Sequence, residues 1–471
     1  MSLNSVMQIG SSAASAYQTA INVTSENISN VNTPGYSRQT AVLETAPQSA
    51  NSGGLFSGNG VSVVSIQRSY DAVLQKELVN AQTSQGYDTT QSTALQTIQP
   101  AFNEVSTDGL GAAIDSFFNS WQDLTSDPTS TAERQGVLTS AQNLVDNFNS
   151  VSTNLSSAIT SQNTSLVTLT GNINQNLTSI AQLNSQIKVI GAAGGNTNEL
   201  KDQRDQAIQN LSQQIGVTYT ENSDGTTDVN YADNGAALVT GSKAGSFSLT
   251  PVPPSSSNYT VNLTPVGGAI GVVSPTSGTL GATLNLRDTV ITGYQSQVDA
   301  LASKIATAVD NLQKSGSDLN GNAGSALFNP APPATATGAT IAVNPLFTTS
   351  NIAAAAKGSP SGSADSSNAL TIADLANDTT TMPGGQTFSN YYNSLVAQVG
   401  QDVKTSGNKV TQDQTYTNQL STLQQSNSGV SLDEELVNLT KYQQSYQASA
   451  KVISTVTSMM DCVLNLIGAP T

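Results

Sequence analysis

The chain reads as an elongated, multi-domain α+β protein, mainly α, with paired N- and C-terminal coiled-coil helices, a long helical rod and small β-rich inserts. Three patterns predict this. Leu3, Met7, Ala14, Tyr17, Ile21 and Ile28 recur at alternating steps of four and three, interrupted at Gly10 and Thr24. At the other end Leu432, Leu436, Leu439, Tyr446, Ala450, Ile453, Met460, Leu464 and Ile467 do the same, broken only at Gln443 and Thr457. A period of 3.5 residues keeps an apolar seam turned toward a partner helix. Two such seams at opposite ends predict that the termini pack together, or against copies of the chain. Third, a stripe from Leu144 to Ile190 holds a 3–4 spacing over roughly fifty residues, a rod of roughly 70 Å at 1.5 Å per residue, too long to sit inside a globule.

The elements follow in order. The first helix is stopped by Asn30, Asn32, Pro34 and Gly35, since Asn tolerates the left-handed conformation and Pro-Gly is a turn dipeptide. Residues 38–70 alternate weakly and read as extended, with a possible hairpin. Helix returns from Ala72 to Ile98, ending before Pro100, and again from Leu110 to Leu124, where Phe117, Phe118 and Trp121 read as the aromatic anchor of a helical core. Asp127-Pro128 places a proline suited to the first turn of the long rod, which Gly191 to Gly195 end. Leu200 to Ile215 packs back antiparallel. From Val217 the period becomes two (Val217/Tyr219, Val229/Tyr231, Phe247/Leu249, Tyr259/Val261/Leu263), giving short strands between Gly, Asp, Asn and Pro. Helix resumes from Leu284 to Lys314 and from Ser389 to Gln425. Residues 316–388, rich in Gly, Ala, Pro, Ser and Thr, read as a second β-rich or irregular outer insert. The predicted division is 1–45 with 430–471 as the terminal assembly domain, 46–215 with 284–315 and 389–429 as the rod domain, and 216–283 and 316–388 as inserts facing solvent.

Composition narrows the function. Charged residues are 10% of the chain and aromatics 5%, against a usual charged share of about a quarter. A net charge of -16 from 16 basic and 32 acidic residues excludes the basic face that nucleic acid or an anionic membrane requires. No stretch approaches the ~20 apolar residues of a membrane span. The first basic residue is Arg38, so the N-terminus reads as mature structure and export, if any, as a route that cleaves no signal. With no histidine and one cysteine, Cys462, the chain lacks the commonest general base and can form no internal disulfide. Asp318 to Gly324 has the start of a calcium loop, yet Ala323 stands at the required glycine and Asn329 at the required glutamate. Neither a cofactor nor a metal is expected. Asp433, Glu434 and Glu435 read as first-turn acids stabilised by the helix dipole, with Ser431 as cap and Glu434 completing a capping box. Asp202, Arg204 and Asp205 read as a structural ion pair within one helix.

Ser29-Asn30-Val31-Asn32-Thr33-Pro34-Gly35-Tyr36-Ser37-Arg38-Gln39 resembles the signature that follows the first helix of bacterial flagellar axial proteins. Its Asn32-Thr33-Pro34-Gly35 core with Tyr36 is common to rod, hook and hook-associated proteins. The following Ser37-Arg38-Gln39 is similar to the hook-associated protein 1 family. Three further stretches resemble that family: Phe117 to Trp121 with Asp127-Pro128 and Arg134, Leu200 to Gln206 with its Asp-Gln-Arg-Asp-Gln run, and Leu432 to Val456. The chain departs from the family in being short, which implies a reduced outer domain, and in carrying Cys462. The resemblance implies a non-enzymatic, secreted structural protein of the flagellum, exported unfolded through the flagellar type III apparatus. It would form a homo-oligomeric ring between hook and filament, needed for filament assembly. Implied partners are the hook protein, the second hook–filament junction protein and a cytosolic export chaperone holding the C-terminal helix. The alternative is another axial protein, of the hook or distal rod, because part of the signature is shared. A hydrolase or adhesin fused to axial ends would need a carboxylate pair; Asp318, Asp365, Asp374 and Asp378 are available, but no spacing singles out two.

Overall fold

A computed structural model describes residues 3–46, 49–50, 56–102, 109–252, 258–329 and 336–467. Helix α1 (Leu3–Ser29) stops as expected. In the Thr33-Pro34-Gly35-Tyr36 turn that follows, the Tyr36 N–H donates to the Thr33 carbonyl (3.2 Å) and Gly35 sits at φ 80°, the conformation a type II turn demands after proline. The chain then forms an antiparallel hairpin, β1 (Gln39–Thr45) with β4 (Val61–Arg68), in register from Gln39 opposite Arg68 to Thr45 opposite Val61, with a bulge at Val42/Leu43. The pair β2 (Ser49–Ala50) and β3 (Phe56–Ser57) lies within it. Asp71 starts α2 (Ala72–Ile98) by accepting from the Val73 and Leu74 N–H groups.

After α3 (Leu110–Leu124), α4 (Thr131–Ala192) runs for 62 residues, roughly 93 Å. Ser130, not Pro128, opens it, with its hydroxyl accepting from the Glu133 N–H. Pro128 lies two residues ahead of the cap, where its carbonyl receives Arg134 Nε (2.7 Å). The helix ends in a Schellman motif, with the Gly195 N–H donating to the Ile190 carbonyl and Gly194 at φ 76°. Helix α5 (Asn198–Gln214) returns along α4. Two antiparallel sheets follow. One holds β5 (Val217–Glu221), β6 (Thr227–Tyr231), β7 (Ala237–Thr240) and β8 (Lys243–Ala244) in chain order; the other places β10 (Tyr259–Thr264) between β9 (Ser246–Pro251) and β11 (Gly271–Val272). Helix α6 (Gly278–Asn285) passes through a π-helical turn at Leu286–Val290 into α7 (Ile291–Ser315).

Two large cores lie in series along α4. The first gathers Phe117, Phe118, Trp121, Leu144, Phe148, Leu155 and the inward face of α7; the second joins Leu166, Ile173, Leu177 and Ile180 to α5 and both sheets. A polar layer separates them. There buried Asn163 donates to Asn258 Oδ1 (2.8 Å) and receives Arg287 Nη1 (3.1 Å), which also donates to the Tyr259 carbonyl.

Residues 316–388 correct the expectation of an outer insert. Among the described residues they form two-residue ladders, β12 (Gly316–Ser317) with β15 (Ala355–Ala356) and β13 (Phe328–Asn329) with β14 (Ala342–Val343), the short helix α8 (Ser367–Ala373) and 3₁₀ turns at Thr349–Asn351 and Asp374–Asn377. Leu327, Phe328, Ile341, Ile352, Ala354 and Ile372 nonetheless belong to the first core. Burying a segment without its own ladders leaves main-chain groups to satisfy, and side chains do it. Asp310 accepts from the Leu327 and Phe328 N–H groups, Gln313 from Ala353, and Arg134 Nη1 donates to the Thr349 and Ile352 carbonyls. Helices α9 (Phe388–Ser428) and α10 (Leu432–Ile467) complete the chain. Among the described residues no helix is long and apolar enough to cross a membrane.

Candidate functional site

The two ends of the chain pair antiparallel. Gly10 faces Ile453 and Ser449, the Tyr17 and Tyr442 rings lie 6.4 Å apart, and Asn27 meets Glu435. The lack of a Cβ at Gly10 lets the helices approach, since an added one would lie 3.0 Å from Ile453 Cγ1. The deepest face of α1 is Ala16, Ala20, Val23 and Asn27, and that of α10 is Glu435, Ser449 and Val456. Each is displaced by one residue from the stripe read in the sequence. Leu3, Met7, Ala14, Tyr17, Ile21 and Ile28 are half-buried, as are Leu439, Ile453 and Met460. Leu432, Leu436 (52% exposed), Tyr446, Ala450 and Leu464 (63% exposed) face outward; the side chain of Ile467 lies outside the described residues. The two stripes therefore do not face each other across the pair. A residue turns a helix face by about 100°, and on antiparallel helices the same offset brings both stripes to one side.

A polar lock sets that register. Asn27, 1% exposed, uses its full capacity. Its Nδ2 donates to the Gln39 carbonyl (2.8 Å) and to Glu435 Oε2 (3.0 Å), and its Oδ1 accepts from the Tyr36 hydroxyl and the Gln39 N–H, both at 2.9 Å. Arg38 Nε pairs with Glu435 Oε1 (2.7 Å) and Nη1 with Glu434 Oε2 (2.9 Å), while its N–H donates to the Ser428 carbonyl. Asp433, Glu434 and Glu435 do lie in the first turn of α10, as the sequence reading had them, and Glu435, 2% exposed, is in addition a buried counter-ion joining both ends of the chain. Of the signature turn, Asn32, Thr33, Pro34 and Gly35 are exposed and shape the bend, whereas Tyr36, Ser37 and Arg38 make the contacts.

A second set of bonds ties this joint to the helical body. Asp202 accepts from the Ser37 N–H (2.9 Å) and hydroxyl (2.8 Å). Arg68 Nη1 lies 2.8 Å from both Asp202 Oδ1 and Asp205 Oδ2, with its guanidinium 4.2 Å over the Tyr70 ring. Asp202 and Asp205 thus pair across to the hairpin, not only within α5 as the sequence suggested; Arg204 does stay beside Asp205 and reaches the Gly225 carbonyl (2.7 Å). Burial pushes the Asp202 carboxyl up, against the pull of Ser37 and Arg68. Burial works against the Arg68 charge too, but Asp205 and Asp202 outweigh it and hold the guanidinium firmly protonated. Burial, then Glu26 and Asp202, raises the Tyr36 hydroxyl far above its ordinary value, so it remains a donor. Sequence reasoning singled out Arg38 and Asp202 but missed Asn27, Arg68 and Tyr70. The available signal was scarcity: the chain has five arginines, and Arg38, Arg68, Arg134, Arg204 and Arg287 each bridge separate segments.

Nothing in this arrangement presents a nucleophile with a base. Among the described residues no three His, Cys, Asp or Glu side chains converge to hold a metal. Asp318, Asp365 and Asp378 are engaged by nearby main-chain N–H groups and hydroxyls.

Three family models match. Residues 7–36 match that of flagella basal body rod proteins, and residues 424–466 that of the C-terminal region of flagellar basal body rod FlgEFG proteins. These are the segments that form the terminal pair, and they place the chain among the structural axial proteins of the bacterial flagellum. Residues 95–328 match the helical domain of flagellar hook-associated protein FlgK. Over nearly its whole length the chain is similar to the flagellar hook-associated protein 1 family. It is 29% identical to flagellar hook-associated protein 1 of Escherichia coli K12, covering 98% of this chain and 100% of the relative. It is 26% identical to that of Bacillus subtilis 168, covering 97% of each. The fold matches the flagellar hook junction protein FlgK from Burkholderia pseudomallei with a TM-score of 0.63 at 18% identity, over 74% of this chain and 99% of that one.

Proposed function

We propose that this chain is the structural subunit of the junction between hook and filament, forming there a ring that filament assembly requires. The end-to-end likeness to hook-associated protein 1 supports the place. The observation that carries the mode of action is the uncovered stripe on α10, Leu432, Leu436, Tyr446, Ala450 and Leu464, with half-buried Leu439 among them, beside the half-buried stripe of α1. An apolar stripe of this length on a paired helix is covered in an assembly, and neighbouring copies of the chain cover it in the ring. Hook protein lies on one side of that ring and the second junction protein on the other. The chain leaves the cell through the flagellar export apparatus without a cleaved signal, with its C-terminal helix shielded by a chaperone until then. A hook or distal-rod role would fit the two terminal matches; the match over 95–328 favours the junction. The test is Leu436→Lys with Leu464→Lys, introduced into a strain lacking the protein. Both side chains are exposed, so monomer stability is expected to stay within about 0.5 kcal/mol, while filaments fail to form. Normal filaments from the double variant would remove the stripe from the account.

A further inference from the structure

We propose that Asp88 on α2 and Asp413 on α9 form a proton-binding pair, so that the seam between these two helices is firmest in mildly acid surroundings. The inference goes beyond the role in the ring and does not rest on it. The helices run antiparallel, and the seam is largely polar. Gln75 faces Gln424, Glu77 faces Tyr416 and Gln85 faces Gln414, joined by side-chain hydrogen bonds of 3.1, 2.6 and 2.7 Å. The apolar cluster here is small, with Leu78, Ala81 and Leu420 buried and Leu74 against them, and it is separate from both large cores. With little apolar area to hold this stretch of α9, its polar side chains decide how firmly it packs.

Just past the Gln85–Gln414 bond two carboxyl groups meet. That of Asp413 lies within hydrogen-bonding reach of that of Asp88. Asp413 Oδ2 is buried and receives no hydrogen bond, and the Asp88 side chain is 14% exposed. Two ionised carboxylates so placed are acceptors only, and they repel. The cation beside them is Lys409 of α9. Its Nζ lies 3.9 Å from Asp88 Oδ1, beyond a hydrogen bond, and the side chain is 54% exposed, so it neutralises the pair weakly. Among the described residues that meet this place, the others bring no charge. Thr83, Ser84, Thr276 and Ser277 line the adjoining cavity with Asp88 and Lys409, α5 meets α2 through the Gln213 carbonyl at Gly86, and burial and Asp88 keep the Tyr87 hydroxyl neutral. One proton taken from solvent resolves the conflict: a protonated Asp413 donates to the Asp88 carboxylate, an O–H···O⁻ bond of the stronger kind, with the proton shared by the pair. Burial, then Asp88, raises the Asp413 carboxyl against the pull of Lys409. Because the folded value lies above the unfolded one, the pair's contribution is complete below the ordinary carboxylate range and is lost as pH rises through the folded midpoint.

Denaturant midpoints of the full chain between about pH 8 and about pH 4 test this, with a chelator present so that no metal ion stands in for the proton. Asp413→Asn puts an amide donor beside Asp88 at every pH. It is expected to raise the midpoint above wild type at the alkaline end, and wild type should close the gap as the medium turns acid. Carboxyl NMR should place Asp413 above the ordinary carboxylate range, and Lys409→Gln, which removes the competing cation, should move it higher still. Should Asp413→Asn fail to fold, Asp88→Asn gives a second readout, because it should bring the Asp413 midpoint down. Parallel pH profiles for wild type and Asp413→Asn overturn the proposal. So does an ordinary midpoint for Asp413, which would mean that the pair stays ionised beside Lys409.

Discussion

Asn27→Ala removes four hydrogen bonds at once from a buried position. Glu435 keeps Arg38, and the Tyr36 hydroxyl, half-buried, can turn to water. The N–H and carbonyl of Gln39 cannot, because that residue, the first of β1, is 2% exposed. Each stranded group costs about 1–3 kcal/mol. A water entering the vacated space brings the sum toward its low end, about 2–3 kcal/mol, equivalent to roughly 30- to 150-fold more frequent opening of the terminal pair. Amide exchange in 9–25 and 436–456 reads this directly. Asn27→Asp should be at least as damaging: it keeps both acceptors but loses both donors and sets a second carboxylate against Glu435. A change of less than threefold in Asn27→Ala would refute the view that this side chain sets the register of the two ends.

Three further outcomes follow from the same geometry. Gly35→Ala forces a side chain into φ 80° with its Cβ 2.9 Å from Gln206 Oε1, and should cost about 1–2 kcal/mol, seen as a lower denaturant midpoint for the terminal pair. Trp121→Ala empties the centre of the first core and should cost about 3–5 kcal/mol in global unfolding; a loss under 1 kcal/mol would show that the site collapses freely. Hydroxyl bonds from Thr381 and Thr380 hold the Asp378 carboxyl down to about 2. Because the folded value lies below the unfolded one, its contribution is complete above the ordinary carboxylate range and is lost as pH falls through about 2. Carboxyl NMR should give a midpoint there, and an ordinary midpoint would contradict the bonding.

The helices were legible because their breaks are chemical. Ala72 to Ile98 ends just ahead of Pro100 as read, and the change of period at Val217 marks the start of β5. Residues 316–388 were illegible for the opposite reason. Their apolar residues are anchored singly, with Asp310, Gln313 and Arg134 supplying the hydrogen bonds that a regular ladder would have supplied, so no period reaches the sequence. At the joint, the stripes of α1 and α10 were visible, but the one-residue offset was not. It comes from Asn27, Glu435 and the close approach at Gly10, polar or missing side chains that a search for apolar repeats passes over.

The most direct test of the proposed role is a clean deletion in the native bacterium, with electron microscopy of the cell surface and immunoblotting of the medium for filament subunit. Hooks without filaments, with filament subunit lost to the medium, are the result expected of a hook–filament junction protein. Loss of the hooks as well would move the chain to the hook or rod, and normal filaments would contradict the account.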